Sequence, residues 1–455
     1  MFLSTGQGVH ITVPTPSTTS DLAHSTARYD QAAFELDITG IAELRDIASV
    51  SDFDPDDYLA DVLDYLHGRR FAGSERVFSA SNDAYLLPID EEEIRRLDKQ
   101  HILLRLGQPF VLESTLRSIL SQVEKKTVLD VGCGSGQWAK ELAKKYPKAD
   151  VIAIDEDEQT HDKAPKNVEF RRHNVNDGLA PFYDSYDVVH VRCIGAGTTS
   201  YRGMLVEATR CLKPGGLAIF IEGDFDLLGE DQITILEPAS DNNENGSWMQ
   251  RWTQAVRRAQ VRRCNLSGVD DSPETLDQGL WQFPEYHEPS CGTGSIFTPV
   301  SPWPTSSLKE EALHYKVTGV LMKQNLKMFI LATKQLLIED GLTSEQVEEW
   351  APKAIAELDN DAGFHAWFRW RIAWGRKISE TSESASPTHS STHANGQNHV
   401  NSNPVPGQGK MAAQLALMEK VRQFQTPHCH VRNKEQSLVY IKERTECPFS
   451  TRGQF

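Results

Sequence analysis

The sequence predicts an α/β fold, a mostly parallel sheet with helices on both faces, and three observations predict it. Five short apolar runs stand at 127–131, 151–154, 168–171, 187–192 and 217–222. Helical periodicity fills most of the gaps between them, notably at 137–146 and 201–212. Strands that are apolar almost throughout are buried on both faces, the condition of a parallel sheet covered by crossover helices. The third observation is the stretch Lys126-Thr-Val-Leu-Asp-Val-Gly-Cys-Gly-Ser-Gly-Gln-Trp138, in which the first strand passes through Gly132, Gly134 and Gly136 into a helix. Glycine permits positive φ and close approach of a ligand to the backbone. The helix behind it offers free N–H groups and the positive end of its dipole. A ligand site belongs at the carboxyl ends of such strands.

The chain has 455 residues, room for one large or two ordinary domains. Only 39% are hydrophobic and the mean hydropathy is −0.46, low for a compact enzyme, so sizeable disordered parts are expected. A net charge of −17 repels phosphate backbones and argues against a nucleic-acid partner. The seven cysteines are dispersed, with no C-x-x-C pair, as in an intracellular protein with reduced thiols. With no secretory signal and no apolar run of about 18 residues, the expectation is a protein of cytosol or nucleus, neither secreted nor bound to membrane.

Residues 1–50 read as largely disordered, and 51–125 as a helical cap. In the cap, Asp54, Pro55, Asp56 and Asp57 open a helix over 55–67 that Gly68 stops. A second helix begins at Asp90, with capping-box spacing to Glu93. Ile94, Leu97, His101 and Leu104 share one of its faces. His101 is therefore expected on the buried side, either as a core histidine or, if this helix caps a ligand pocket, pointing into it. Beyond the fifth strand a polar loop at 239–247 leads to a helix over 248–264. Trp248, Trp252, Val256 and Ala259 form its apolar face, and Arg251, Arg257, Arg258 and Arg262 a face read as solvated. A proline-rich crossing, helices near 310–339 and 344–358, and an aromatic strand at 364–374 follow. Residues 378–455 read as a low-complexity linker and tail, with a short amphipathic helix at 411–424. His428-Cys429-His430 lacks the companions of a metal site, and no metal is expected.

The glycine turn discriminates between ligands. A dinucleotide fingerprint, G-x-G-x-x-G, needs glycine at 137, where Gln137 stands. Asp130 just before the turn repels a pyrophosphate but suits a ligand with a cationic amine and no phosphate. S-adenosylmethionine, with its ammonium and sulfonium, is such a ligand; a nicotinamide cofactor is not. Asp155, with Glu156 beside it, ends the second strand, where a carboxylate accepts the ribose hydroxyls at about 1.5–3 kcal/mol per charge-assisted bond. Asn174 can accept from the adenine amine, and the Val175 N–H can face the ring. Arg192, at another strand end, can meet the methionine carboxylate or the substrate. The expected cofactor contacts are thus Asp130, Gly132, Cys133, Gly134, Gly136, Asp155, Glu156, Asn174, Val175 and Arg192.

In these features the chain resembles class I S-adenosylmethionine-dependent methyltransferases. The matching motifs are Val-Leu-Asp-Val-Gly-Cys-Gly-Ser-Gly at 128–136, Asp155, and Leu-Lys-Pro-Gly-Gly at 212–216. Tyr85-Leu-Leu-Pro-Ile-Asp90, Glu93, Arg96-Leu97-Asp98, Gln100-His101, Phe182 and Tyr186-Asp-Val-Val-His-Val-Arg192 are similar to the LaeA-like group of fungal methyltransferases. That group usually has an acid where Asn174 stands.

The resemblance runs from about 80 to 377. It implies a Rossmann-like sheet of seven strands, the last two near 284–300 and 364–374, in a domain at 126–377 whose insertions around 240–360 form a substrate lid. It also implies an association with secondary metabolism and its regulation. The expected reaction is in-line attack of a small-molecule or protein acceptor on the sulfonium methyl, with a general base needed only if the acceptor must lose a proton. His101, His190 and Glu222 are the candidates. His190 is mid-strand and read as structural, which leaves His101 and Glu222. The alternative is a regulatory protein that binds S-adenosylmethionine with little turnover and meets a protein partner through its tails.

Overall fold

The computed structural model describes residues 76–78, 84–156, 164–264, 272–379, 425–426 and 428–445. The helices expected at 55–67 and 411–424, and the segments read as disordered or linker apart from their described residues, lie outside this set. Strand β1 (Thr127–Val131) is central. It pairs in parallel with β2 (Asp150–Asp155) on one side and β4 (Tyr186–Arg192) on the other. β3 (Val168–Arg172) continues the sheet beyond β2, and β5 (Leu212–Gly223) beyond β4, both in parallel. β7 (Trp367–Arg376) then runs antiparallel between β5 and β6 (Gly292–Pro299). The strand order reverses between β1 and β4, and open α/β sheets bind ligands in the crevice at such a switch point.

Period-two alternation along the strands divides the interior into two cores. Val128, Val151, Val188, Leu217 and Ile219 face helices α1 (Glu91–Gly107), α2 (Phe110–Leu120) and α3 (Gln137–Lys145). Helices α5 (Trp248–Arg263), α6 (Lys309–Glu339) and α7 (Ser344–Asp359) extend that core, with Trp252, Ile330 and Trp350. Leu129, Val131, Ile154, Val189 and Phe220 face α4 (Tyr201–Cys211) and the 276–286 crossing. Each large apolar side chain so buried contributes about 1.5–3 kcal/mol, which is why these strands carry few polar residues. The expected caps form at two helices. Asp90 accepts from the Glu93 N–H, while Thr343 and Gln346 bond reciprocally. Glu93 does not complete its box, because its carboxylate is taken by buried Arg96 at 2.7 Å.

Among the described residues the sheet has nine strands rather than seven. The chain returns after the linker, and β8 (Gln425–Thr426) and β9 (Cys429–Arg432) extend the edge beyond β6. Helix α8 (Lys434–Thr445) follows. The tail read as peripheral therefore supplies sheet edge and core, and His428-Cys429-His430 belongs to this strand region. A buried ionic cluster just past the end of β5 joins α8 to the sheet. Arg369 binds Asp224 at 2.6 Å and Asp277 at 3.0 Å, and Arg371 binds Asp224 at 2.8 Å. α8 adds Arg444, 3.0 Å from Asp224 and 3.2 Å from Asp226, and the Tyr440 hydroxyl at 2.6 Å from Arg369. Periodicity cannot show charges that are buried only because a distant segment covers them.

A second correction concerns α5. Arg257 is not solvated but buried, 2.8 Å from Glu274. Arg251 lies over the Trp350 ring at 3.9 Å. Among the described residues no helix is long and apolar enough to cross a membrane.

Candidate functional site

At the carboxyl end of β1 the backbone enters the left-handed region three times, at Gly132 (φ 67°), Gly134 (φ 53°) and Gly136 (φ 70°). The Gly132 and Cys133 amides both donate to the Ile154 carbonyl, at 2.9 and 3.0 Å, so the turn is drawn against the end of β2. A Cβ on Gly132 would lie 3.0 Å from the Ile194 side chain, so the close packing of turn and loop excludes other residues there. The Gly134 amide donates to Asp155 at 2.8 Å. Gly136 caps α3 from behind.

The turn floors a half-open cavity walled by residues from the ends of β1, β2 and β4 and from α1. Eight of the ten expected cofactor contacts line it: Gly132, Cys133 and Gly134 from the turn, Asp155 and Glu156 from β2, Asn174 and Val175 after β3, and Arg192 at the end of β4. Both Glu156 carboxylate oxygens are buried with no hydrogen-bond partner. Asp155 spends an oxygen on Gly134, so the ribose-acceptor role expected of Asp155 falls at least as naturally to its neighbour. Asn174 uses its side-chain oxygen to accept from the Asn176 N–H at 3.0 Å, which ties its orientation to a short helical turn. Burial pushes the Cys133 thiol well up and the Cys193 thiol to about 12, so neither lining cysteine is a thiolate nucleophile.

Asp130 and Gly136 are not among the cavity walls. His190 donates from Nδ1 to Asp130 at 2.8 Å, and Trp138 stacks on His190 with ring centroids 3.7 Å apart. Asp130 thus serves the inner layer behind the turn. Its second oxygen is buried without a partner. Burial holds His190 below the usual histidine range although Asp130 opposes this, in keeping with a structural role.

Neither candidate base lines the cavity. Glu222 is buried and accepts from the Ile194 and Gly195 amides at 2.7 and 2.9 Å. It anchors the loop after β4 instead of facing a ligand. Burial raises it to about 7 against the pull of those amides. His101 is buried, as its helical face requires, but stands behind Arg192, whose Nη1 lies 3.2 Å from His101 Nδ1.

Sequence reasoning missed eight lining residues, among them the polar side chains of Tyr85, Gln100 and His173. Tyr85 and Gln100 belong to the LaeA-like motif, and Gln100 stands three residues from Leu97 on α1, so one helical turn carries both to the wall. His173 has no such signal; its Nε2 meets the Gly178 carbonyl at 2.7 Å.

A family model described as a methyltransferase domain matches residues 128–216, the segment holding turn, β2 end and β4. In that segment the chain resembles class I S-adenosylmethionine-dependent methyltransferases. The chain is 29% identical over 298 residues to a secondary metabolism regulator laeA of Coprinopsis cinerea, covering 64% of this chain and 68% of that one. It is 34% identical over 151 residues to the methyltransferase str2 of Strobilurus tenacellus, covering 32% and 52%. A protein-methionine methyltransferase laeA of Emericella nidulans is 28% identical over 244 residues, covering 52% and 57%. The chain thus spans little more than half the length of the last two. The chain resembles the LaeA-like group, and the Coprinopsis cinerea relative named for secondary metabolism matches 64% of it.

Proposed function

We propose that the protein holds S-adenosyl-L-methionine in this cavity and transfers its methyl group to a small-molecule or protein acceptor in secondary metabolism or its regulation. The carrying observation is Glu156. A buried carboxylate without a donor is costly, on the order of several kcal/mol in an apolar setting. Two ribose hydroxyls would satisfy it where β2 ends beside the glycine turn. The cradle of Gly132 and Gly134 fits the same guest. Asp155 stiffens the turn, Tyr85 contributes a phenol that burial keeps protonated, and Arg192 supplies a cation for the methionine carboxylate. When bound, the cofactor supplies an activated methyl on a sulfonium. The residues then act mainly by holding two reactants in line, an effect worth roughly 7–11 kcal/mol.

With Glu222 and His101 both turned away from the cavity, the reading favours acceptors that attack without losing a proton in the same step, such as a thioether or a free amine. The name of the Emericella nidulans relative, a protein-methionine methyltransferase, belongs to that class. The test is calorimetric titration of the full chain with S-adenosylhomocysteine. Micromolar binding is expected in the parent, with loss of at least about tenfold in Glu156→Ala. An absence of binding to the parent sinks the proposal.

The second reading, a cofactor-binding regulator with little turnover, draws on the withdrawal of both expected bases, His101 and Glu222, from the cavity and on the relative named as a regulator. Transfer of labelled methyl to any small molecule or separate protein in an extract would count against it.

A further inference from the structure

Arg192 is the cavity's cationic wall, and the groups behind it form a directed chain. Its Nη1 lies 3.2 Å from His101 Nδ1. A guanidinium can only donate, so His101 accepts at Nδ1 and carries its proton on Nε2. Nε2 lies 3.1 Å from Glu141 of α3, and Glu141 is in turn held by Arg105 of α1 at 2.8 Å. The imidazole is buried, so no water competes for either nitrogen. Three elements, α1, α3 and β4, meet at one ring whose tautomer the Arg192 donor dictates, while Glu141 faces Nε2 as a nearby charge outside hydrogen-bond geometry.

We propose that His101 is a positioning residue. It fixes the guanidinium of Arg192 at the carboxyl end of β4 so that it meets the anionic carboxylate of the bound amino-acid moiety. The inference rests on the cofactor reading above. It explains why a histidine serves here: lysine or arginine would repel Arg192, and a carboxylate would neutralise it. The groups facing His101 are Glu141 from α3, Arg192 and, one strand position earlier on that face, His190 from β4, and Arg105 from its own helix. Burial lowers His101, the two guanidiniums lower it further, and Glu141 opposes them. Neutral imidazole is thus the form the site requires. Protonation would set an N–H against the Arg192 donor and place a third cation between two arginines.

The test uses two probes that differ in the amino-acid moiety: S-adenosylhomocysteine, which has it, and 5′-methylthioadenosine, which does not. His101→Ala should weaken the first about tenfold, the size of one charge-assisted hydrogen bond, while methylthioadenosine binding stays within about twofold. His101→Asn, whose side-chain oxygen can accept from Arg192, should recover most of the loss. Adding His101→Ala to Arg192→Ala should cost nothing further, since coupled residues are non-additive. In the parent, affinity for S-adenosylhomocysteine should fall as pH drops below the ordinary histidine value of about 6.5, and His101→Asn should lack that fall. Equal weakening of both probes in His101→Ala, or no weakening of S-adenosylhomocysteine, overturns the inference while leaving the cofactor reading intact. A parent that binds neither probe overturns both.

Discussion

Two buried groups of acids lie at the same edge of the sheet and are treated in opposite ways. At the end of β2, Glu156 has both oxygens buried and unpartnered. Past the end of β5, Asp224 is buried throughout and faces Arg369, Arg371 and Arg444 at 2.6–3.0 Å. Burial alone would raise the Asp224 carboxyl, yet the three guanidiniums hold it far below its usual range. A charge compensated from within its own chain belongs to the structure, and one left uncompensated is reserved for a partner from outside. By that criterion the cofactor end is built for a guest, whereas the β5 end is already filled by the returning C-terminal segment.

Breaking the filled end should have the largest effect. Asp224→Asn removes the carboxylate that all three guanidiniums share and leaves Asp277, Glu274 and Asp226 to compensate them in a dry interior. Removing one member of a buried ionic set costs about 3–5 kcal/mol, a drop in Tm on the order of 10 °C for a domain of this size. Calorimetric or denaturant unfolding reads it. Arg444→Ala should cost less, because Asp224 keeps two partners, and it should loosen α8 first, visible as faster hydrogen exchange over 434–445. If Asp224→Asn unfolds with the parent, the cluster does not hold the fold as described.

These two ends also differ in how far the sequence announced them. The β1 turn, the acid pair at 155–156 and Arg192 were legible because they obey local rules: an apolar strand, glycines at positive φ, a carboxylate or cation at the strand end. The seven inner strands followed from apolar runs and from motif resemblance. Nothing local marks Arg369, Arg371 or Arg257 as buried. Arg257 reads as solvent-facing in the sequence, and it is Asp224, Glu274 and Asp277, distant in the chain, that compensate all three inside. β8 and β9 escaped for the same reason, since a two-residue and a four-residue strand carry no period of their own. Glu222 misled because its place at a strand end suggested a ligand-facing role, while its partners are backbone amides that no sequence pattern displays.

Sharpening the open end calls for Glu156→Gln. In the ligand-free protein this change removes an uncompensated buried charge, so stability should hold or rise by about 0.5–2 kcal/mol, the range of a single favourable substitution. Affinity for S-adenosylhomocysteine should fall at the same time. Opposite signs for stability and binding are the signature of a residue kept for its guest. A variant that loses both would place Glu156 with Asp224, as structure.

Glu222 stands between the two extremes and gives the subtlest effect. It has two amide donors but no cation at contact distance, and burial raises it to about 7 against those amides, the Tyr201 hydroxyl and the more distant Arg371. A carboxyl whose folded pKa exceeds its unfolded value, about 4.3, stabilises fully below the unfolded value and loses that contribution as pH rises through the folded one. Between roughly pH 4.5 and 7 the parent should therefore shed about 1–3 kcal/mol from this group. Glu222→Gln keeps an oxygen for the Ile194 and Gly195 amides and cannot ionise, so its stability relative to the parent should climb across that window and level off above about pH 7. The comparison of the two unfolding curves, not either alone, isolates Glu222, since Glu357 is raised to about 7 as well and contributes equally to both. A difference that stays flat with pH would mean that Glu222 is ionised throughout and draws compensation from beyond its two amides, which would move it to the side of Asp224.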